Sequence, residues 1–171
     1  MTAPVGRPKT SQPTTYVFGV AYDISSHGAQ FSLYPKADVP VVQMSILKNY
    51  APDAHIAAGR ALAPLRREGV LILGSGLSYH NLGRFGVRAQ PESKAFDGWL
   101  DATLSISDTN TRLEKLLQWS HAPGARAAHP REDHLIPLFV ALGAAEGEAA
   151  TRIYHEEAFM GGITVSSFRF G

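Results

Sequence analysis

The chain contains no cysteine among its 171 residues, which removes disulfides, thiolate zinc sites and cysteine nucleophiles together and fits a reducing compartment. Excess charge is equally scarce. Sixteen Lys and Arg against 15 Asp and Glu leave a formal net charge of +1, and no basic run is interleaved with aromatics, so nucleic acid is not an expected partner. No stretch approaches the roughly 18 to 20 apolar residues that span a bilayer, so no membrane segment is expected. The first residues, through Pro13, hold Pro, Thr and Ser without an apolar run; no signal peptide is read there, and a cytoplasmic protein is the expectation. Several chemical templates are also missing. There is no GxSxG elbow, no CxxC and no EF-hand loop, and Gly74-Ser75-Gly76 has neither GxGxxG spacing nor a P-loop lysine.

What is present reads as one globular domain. Hydrophobic residues make up 44% and charged residues 18%, a balance that lets a chain of this length bury roughly two-thirds of its unfolded surface. Residues 1–15 read as a flexible tail and 16–171 as the domain. Tyr16 to Tyr22 is a β-prone run, and the β-branched Val39 to Leu47 reads as a buried strand. A helix follows from Pro52-Asp53, with Ile56, Leu62 and Leu65 as its apolar stripe and Gly69 as its stop; Val70 to Leu73 is the next strand. Strand, helix, strand at this spacing predicts a right-handed βαβ unit with parallel strands. Phe96 to Ile106 and Thr111 to Trp119 carry helical apolar faces, and Leu135 to Ala145 is an apolar helix that Pro137 should distort or restart. Ile163 to Phe170 alternates as a closing strand with no evident partner in the chain. The expected fold is α/β, a sheet of mixed strands flanked by helices and containing a parallel βαβ unit.

Histidines carry most of the chemical potential. His80 lies just past the C-terminal end of the Val70 to Leu73 strand, where open α/β sheets bind their ligands, after a glycine-rich turn that a ligand could approach. The alternative is a tight turn with an exposed imidazole. His129 and His134 bracket a polar run leading into the apolar helix, and their spacing of five does not put them on one helical face as in HExxH. Glu132 and Asp133 stand where they could orient a neighbouring imidazole; a solvated helix entrance with Pro130 in its first turn is the plainer reading. His27 sits in a loop before Gly28. His55 reads as structural on an exposed helix face, His121 and His155 have no local pattern, and the adjacent Glu156-Glu157 suggest a surface.

Taken together, LYPKADVPVVQMSI, ALAPLRREGVLILGSGLSYHNL, FDGWL and AHPREDHLIPLFVALGAA resemble the C-terminal half of the class III extradiol ring-cleavage dioxygenases, the family of the catalytic subunit of protocatechuate 4,5-dioxygenase, with most likeness to its single-chain DOPA-dioxygenase branch. The resemblance runs from about Ser26 to Gly171, and it is the combination of GSGxxxHNL with HPxxxHLxPLxxALGAA that is specific. It implies a partial α/β family domain that uses Fe(II), or Zn(II) in its place, with a catechol-type substrate and O2. Carried over by motif, His80 matches the acid–base histidine, His134 the third metal ligand, and His27 a histidine lining the substrate pocket, although Ser26 stands where the family has Asp. His129 is expected behind the ligands, in the second shell. The family's first two metal ligands, in HGxP and SAHW segments, have no counterpart here. The free chain is therefore expected to be incomplete, needing self-association or a partner subunit for activity; the alternative is a non-enzymatic remnant or partner-binding subunit of the same fold.

Overall fold

The computed structural model describes the strand Tyr16–Val20, Lys36 and residues 39–145 and 147–171; His27 lies outside the described residues. Three parallel strands, β1 (Tyr16–Val20), β2 (Val41–Met44) and β3 (Val70–Gly74), form a sheet in the order β2-β1-β3. The βαβ unit is present, with α1 (Pro52–Arg66) as its crossover helix, but its two strands are not neighbours: β1 lies between them and pairs with both, through Val17 opposite Val41 and Val17 opposite Leu71. Parallel strands share one C-terminal edge, and the loops after β2 and β3 both leave from it.

The helices form where stripe and punctuation agree. α1 begins on Pro52, whose missing N–H is an orphan in a first turn anyway. α2 (Gln90–Leu104) starts earlier than its apolar pattern suggests and buries Ser93, Phe96, Asp97, Leu100, Thr103 and Leu104 at i, i+3, i+4, i+7 spacing. Asp108 caps α3 (Thr109–Leu117) by accepting the Thr111 N–H at 2.8 Å. The one-turn α4 (Ala125–Ala128) ends at His129, so Pro130 sits in a turn and not in a helix. Pro137 restarts the chain as α5 (Ile136–Ala144), which is buried along most of its length and packs on α1 and β3. No helix among the described residues is long and apolar enough to cross a membrane.

Three expectations need correction. The closing strand β5 (Ile163–Phe170) does have a partner: it pairs antiparallel with β4 (Ala150–Phe159) in a separate two-stranded sheet. β4 is exposed along nearly all of its length, so it carries no apolar alternation to announce it. The second correction is β2, which is not a buried strand; Val42 is 58% exposed. The third is His55, which is buried. The Leu47 N–H donates to its Nε2 at 3.0 Å and its Nδ1 donates to the Ala51 carbonyl at 2.6 Å, so both ring nitrogens are satisfied and the role is structural.

The hairpin docks on α2 through polar contacts. Ser93 Oγ accepts the Thr164 N–H at 3.0 Å, and the Ser166 hydroxyl donates to buried Asp97 at 2.9 Å. Arg152 spans Asp97 and Asp101 at 3.9 and 3.2 Å, while His155 Nδ1 lies 3.0 Å from Ser166 Oγ. Burial raises the Asp97 carboxyl above the usual range, against the opposing Ser166 hydrogen bond and the His155 and Arg152 charges. The Ser166 N–H also donates to Ser78 Oγ at 3.0 Å, which ties the hairpin to the loop after β3.

Candidate active site

The loop from Ser75 to His80 leaves the C-terminal end of β3 and is sewn to α4. The His80 N–H donates to the Ala128 carbonyl at 2.9 Å, the Asn81 side-chain amide to the Ala127 carbonyl at 2.8 Å, and His129 Nε2 to the Ser78 carbonyl at 3.0 Å. Asn81 also accepts the Gly83 N–H at 3.2 Å, closing the turn that follows.

Two glycines let this loop meet the segment before α5. A Cβ on Gly76 would lie 2.0 Å from the His134 carbonyl oxygen, and one on Gly74 would lie 2.6 Å from that of Pro137. The GSG and HLIP motifs are thus two sides of one contact: the first is glycine-rich because the backbone of the second fills the space.

That contact brings His80 and His134 face to face, with ring centroids 3.4 Å apart and planes 21° from parallel. Both rings are half-buried. Asp133 is buried beside them, and the ligating atoms of His80, Asp133 and His134 all lie within 4.8 Å of one another. Burial is the main force holding the His80 imidazole below the usual histidine range; the adjacent His134 pushes the same way and Asp133 opposes. Imidazole and carboxylate are donor types that suit ferrous iron or zinc, and the spread of these atoms is within small side-chain rotations of what one ion spans, so the residues present fit a divalent metal.

Asp133 is held on two sides. Its Oδ1 accepts the His134 N–H at 3.1 Å, and Arg131 Nη2 lies 3.5 Å from Oδ2. Arg131 in turn donates to the Tyr50 hydroxyl at 2.6 Å and lies over the Tyr50 ring. Tyr50, on the loop after β2, has φ of 50°, a left-handed backbone that a tyrosine seldom adopts. Glu132 faces elsewhere, paired with Arg126 at 3.0 Å. Of the two acids considered from sequence, only Asp133 reaches the imidazoles.

His129 lies behind the loop, with its ring at 0% exposure between the edges of Phe96 and Trp119. Because Nε2 donates to Ser78, Nδ1 is the unprotonated nitrogen, and it is buried with no hydrogen-bond partner among the described residues. Burial pushes the His129 pKa down from 6.5 to about 4, only partly opposed by the Ser78 bond. From pH 6.5 down to about 4 the unfolded chain takes up a proton that the folded ring refuses, so stability falls with pH across that window. The loss should reach about 3 kcal/mol below the folded pKa. Urea unfolding of wild type and His129→Gln at pH 7, 5.5 and 4.5 checks this: the wild type should lose stability more steeply, and parallel curves would refute it.

The structure brings the His80 and His134 rings together, and His129 holds the loop that carries His80 through the Ser78 carbonyl. His121 is exposed, and His155 belongs to the hairpin contact. Sequence reasoning missed the Tyr50–Arg131 contact behind Asp133 and the anchoring role of Asn81; the prior signal for Tyr50 and Asn81 was their position on loops after strands, and Arg131 had none.

The family described as "Catalytic LigB subunit of aromatic ring-opening dioxygenase" matches residues 12–171. A protein of Beta vulgaris named "4,5-DOPA dioxygenase extradiol" is 36% identical over 151 residues, covering 84% of this chain and 55% of that protein. The "Dioxygenase tasH" of Hapsidospora irregularis is 35% identical over 150 residues, covering 80% of this chain and 45% of that protein. A solved structure of an uncharacterized protein from Escherichia coli K12 superposes with a TM-score of 0.74 at 29% identity, covering 88% of this chain and 63% of that one. The chain spans about half the length of the named relatives.

Proposed function

The chain belongs to the family of the catalytic LigB subunit of aromatic ring-opening dioxygenases, and on that premise we propose that its cluster of His80, Asp133 and His134 takes part in extradiol cleavage of a catechol-type substrate by O2. The observation that carries the reading is His80 stacked on His134 beside Asp133 at the C-terminal edge of the parallel sheet. Fe(II), or Zn(II) in its place, would be held by His134, and when bound it supplies Lewis acidity toward the two catechol oxygens and, as iron, the electrons that activate dioxygen.

The remaining work falls to this chain's own side chains. His80, neutral at pH 7 because burial and His134 disfavour its cation, accepts a proton from a catechol hydroxyl and returns it as the ring opens. The hydrogen bonds from His80 N–H and Asn81 to α4 hold that imidazole in place. His129 fixes the loop through Ser78 and, buried, does not exchange protons with the cluster. His27 is proposed as a wall of the substrate pocket on the family likeness alone. In a test, the chain is loaded anaerobically with ferrous ion and given L-DOPA or protocatechuate with O2. A product heavier than the substrate by two oxygen atoms supports the reading; unchanged substrate with a folded, metal-loaded chain refutes it.

One observation favours a second reading, a subunit that binds a partner. Parallel sheets are normally covered on both faces, yet Val42 and Leu71 are 58% and 41% exposed. A folded chain that self-associates, takes up no metal and forms no product would support it.

A further inference from the structure

We propose that Asp133 is a metal ligand, so that this chain offers a divalent cation an adjacent carboxylate and imidazole, Asp133 and His134. The inference rests on reading the cluster as the reaction site, and it goes beyond the family likeness, which assigns His134 alone to the metal.

Geometry separates the three donors. Two ligands at about 2.0–2.2 Å from one ion lie at most about 4.4 Å apart. The observed spread of no more than 4.8 Å is therefore within small side-chain rotations of a closed site. The two imidazoles cannot both close on it as they stand. Their planes are 21° from parallel with centroids 3.4 Å apart, so the in-plane lone pairs run side by side and do not converge. The stack leaves His80 beside the ion as a proton carrier. Asp133 has no such restriction, because a carboxylate spreads about four lone-pair sites over two oxygens.

The surroundings of Asp133 resemble those of a supported ligand. Its side chain is 9% exposed; Oδ1 takes the His134 N–H, and Oδ2 faces Arg131 at 3.5 Å. These contacts leave further lone pairs for a cation. Arg131 is itself fixed by the Tyr50 hydroxyl, an outer partner of the kind that orients ligating carboxylates. The competing reading is that Asp133 merely closes the turn at His134 and pairs with Arg131.

Asp133→Asn distinguishes the two, because an asparagine oxygen still accepts the His134 N–H while the charge and one acceptor oxygen are lost. The probe is Zn(II) alone, titrated calorimetrically into the metal-free chain, with the visible absorption of bound Co(II) as a second readout and urea unfolding as the control for folding. Losing an outer partner already costs about 10- to 100-fold in metal affinity. If Asp133 is a ligand, Asp133→Asn should weaken Zn(II) beyond that range, to about the same extent as His134→Ala, and both should alter the Co(II) spectrum, while His80→Ala stays close to wild type. A smaller loss with an unchanged Co(II) spectrum marks an outer partner and overturns the inference. Wild-type affinity in Asp133→Asn overturns the inference. So does a loss in His80→Ala as large as in His134→Ala, or a wild-type chain that binds no Zn(II). Metal binding that depends on Asp133 without any ring cleavage would sink the proposed function and leave this inference standing.

Discussion

His80→Ala should reduce ring cleavage by about 10²- to 10⁴-fold, the range contributed by a positioned general acid–base group, while leaving fold and metal content in place. The fold should survive because the contact that fixes the loop at this position is the backbone N–H to Ala128, which alanine keeps. The ring itself is half-buried and rests on His134, so removing it opens space beside His134 and not in the core. Initial rates of product formation at matched metal content measure the effect. The loss should fall on kcat as well as kcat/KM, because a proton carrier acts in the chemical step and not in substrate binding. Turnover within a few-fold of wild type would remove His80 from the mechanism.

The second large effect is expected at Gly76. A methyl group there would lie 2.0 Å from the His134 carbonyl oxygen, a separation no relaxed structure tolerates, and the obstacle is backbone that cannot swing aside. Gly76→Ala must therefore push the His134 segment away from the loop after β3. Overpacking of this kind costs about 1–3 kcal/mol. A displacement near 1 Å at the reacting groups can cost about 10²-fold in rate. Both should appear together, in urea unfolding and in turnover. Gly98→Ala is the matched control: nothing lies within 4 Å of its added Cβ and it sits inside α2, so replacement should stabilise the helix by up to about 1 kcal/mol. Gly76→Ala with unchanged stability and turnover would mean that the two motifs do not touch as described.

Much of the sheet was legible because it depends on local patterns. Apolar runs at Val41–Met44 and Val70–Gly74, with a helix between them that opens on Pro52, are enough to specify a βαβ unit. The insertion of β1 between those strands is a matter of long-range pairing, and no residue in Tyr16–Val20 announces which neighbours it will have. β4 escaped notice for a related reason: its residues are mostly exposed on both faces, so the alternation that marks a half-buried strand is absent. His55 looked like a surface residue because polar side chains on helices usually are. What reverses this is a pair of backbone partners, Leu47 N–H and the Ala51 carbonyl.

The site divides in the same way. His80 could be singled out by motif and by its position past a strand end, and His134 by motif alone, but their stacking depends on Gly74 and Gly76 admitting the chain before α5. Asp133 could not be separated from Glu132 by sequence, since adjacent acids look alike there. Only the path of the turn sends one toward the imidazoles and the other toward Arg126. The Tyr50–Arg131 contact joins loops far apart in the chain and left no local trace.

The most direct test of the account is oxygen consumption by the ferrous-loaded chain. With a catechol present, the account predicts uptake of one O2 per catechol consumed by the self-associated or partner-bound chain, strongly reduced in His80→Ala and in His134→Ala. A folded, iron-loaded wild-type chain that consumes catechol without matching oxygen uptake, or neither, would contradict the assignment of this cluster to ring cleavage.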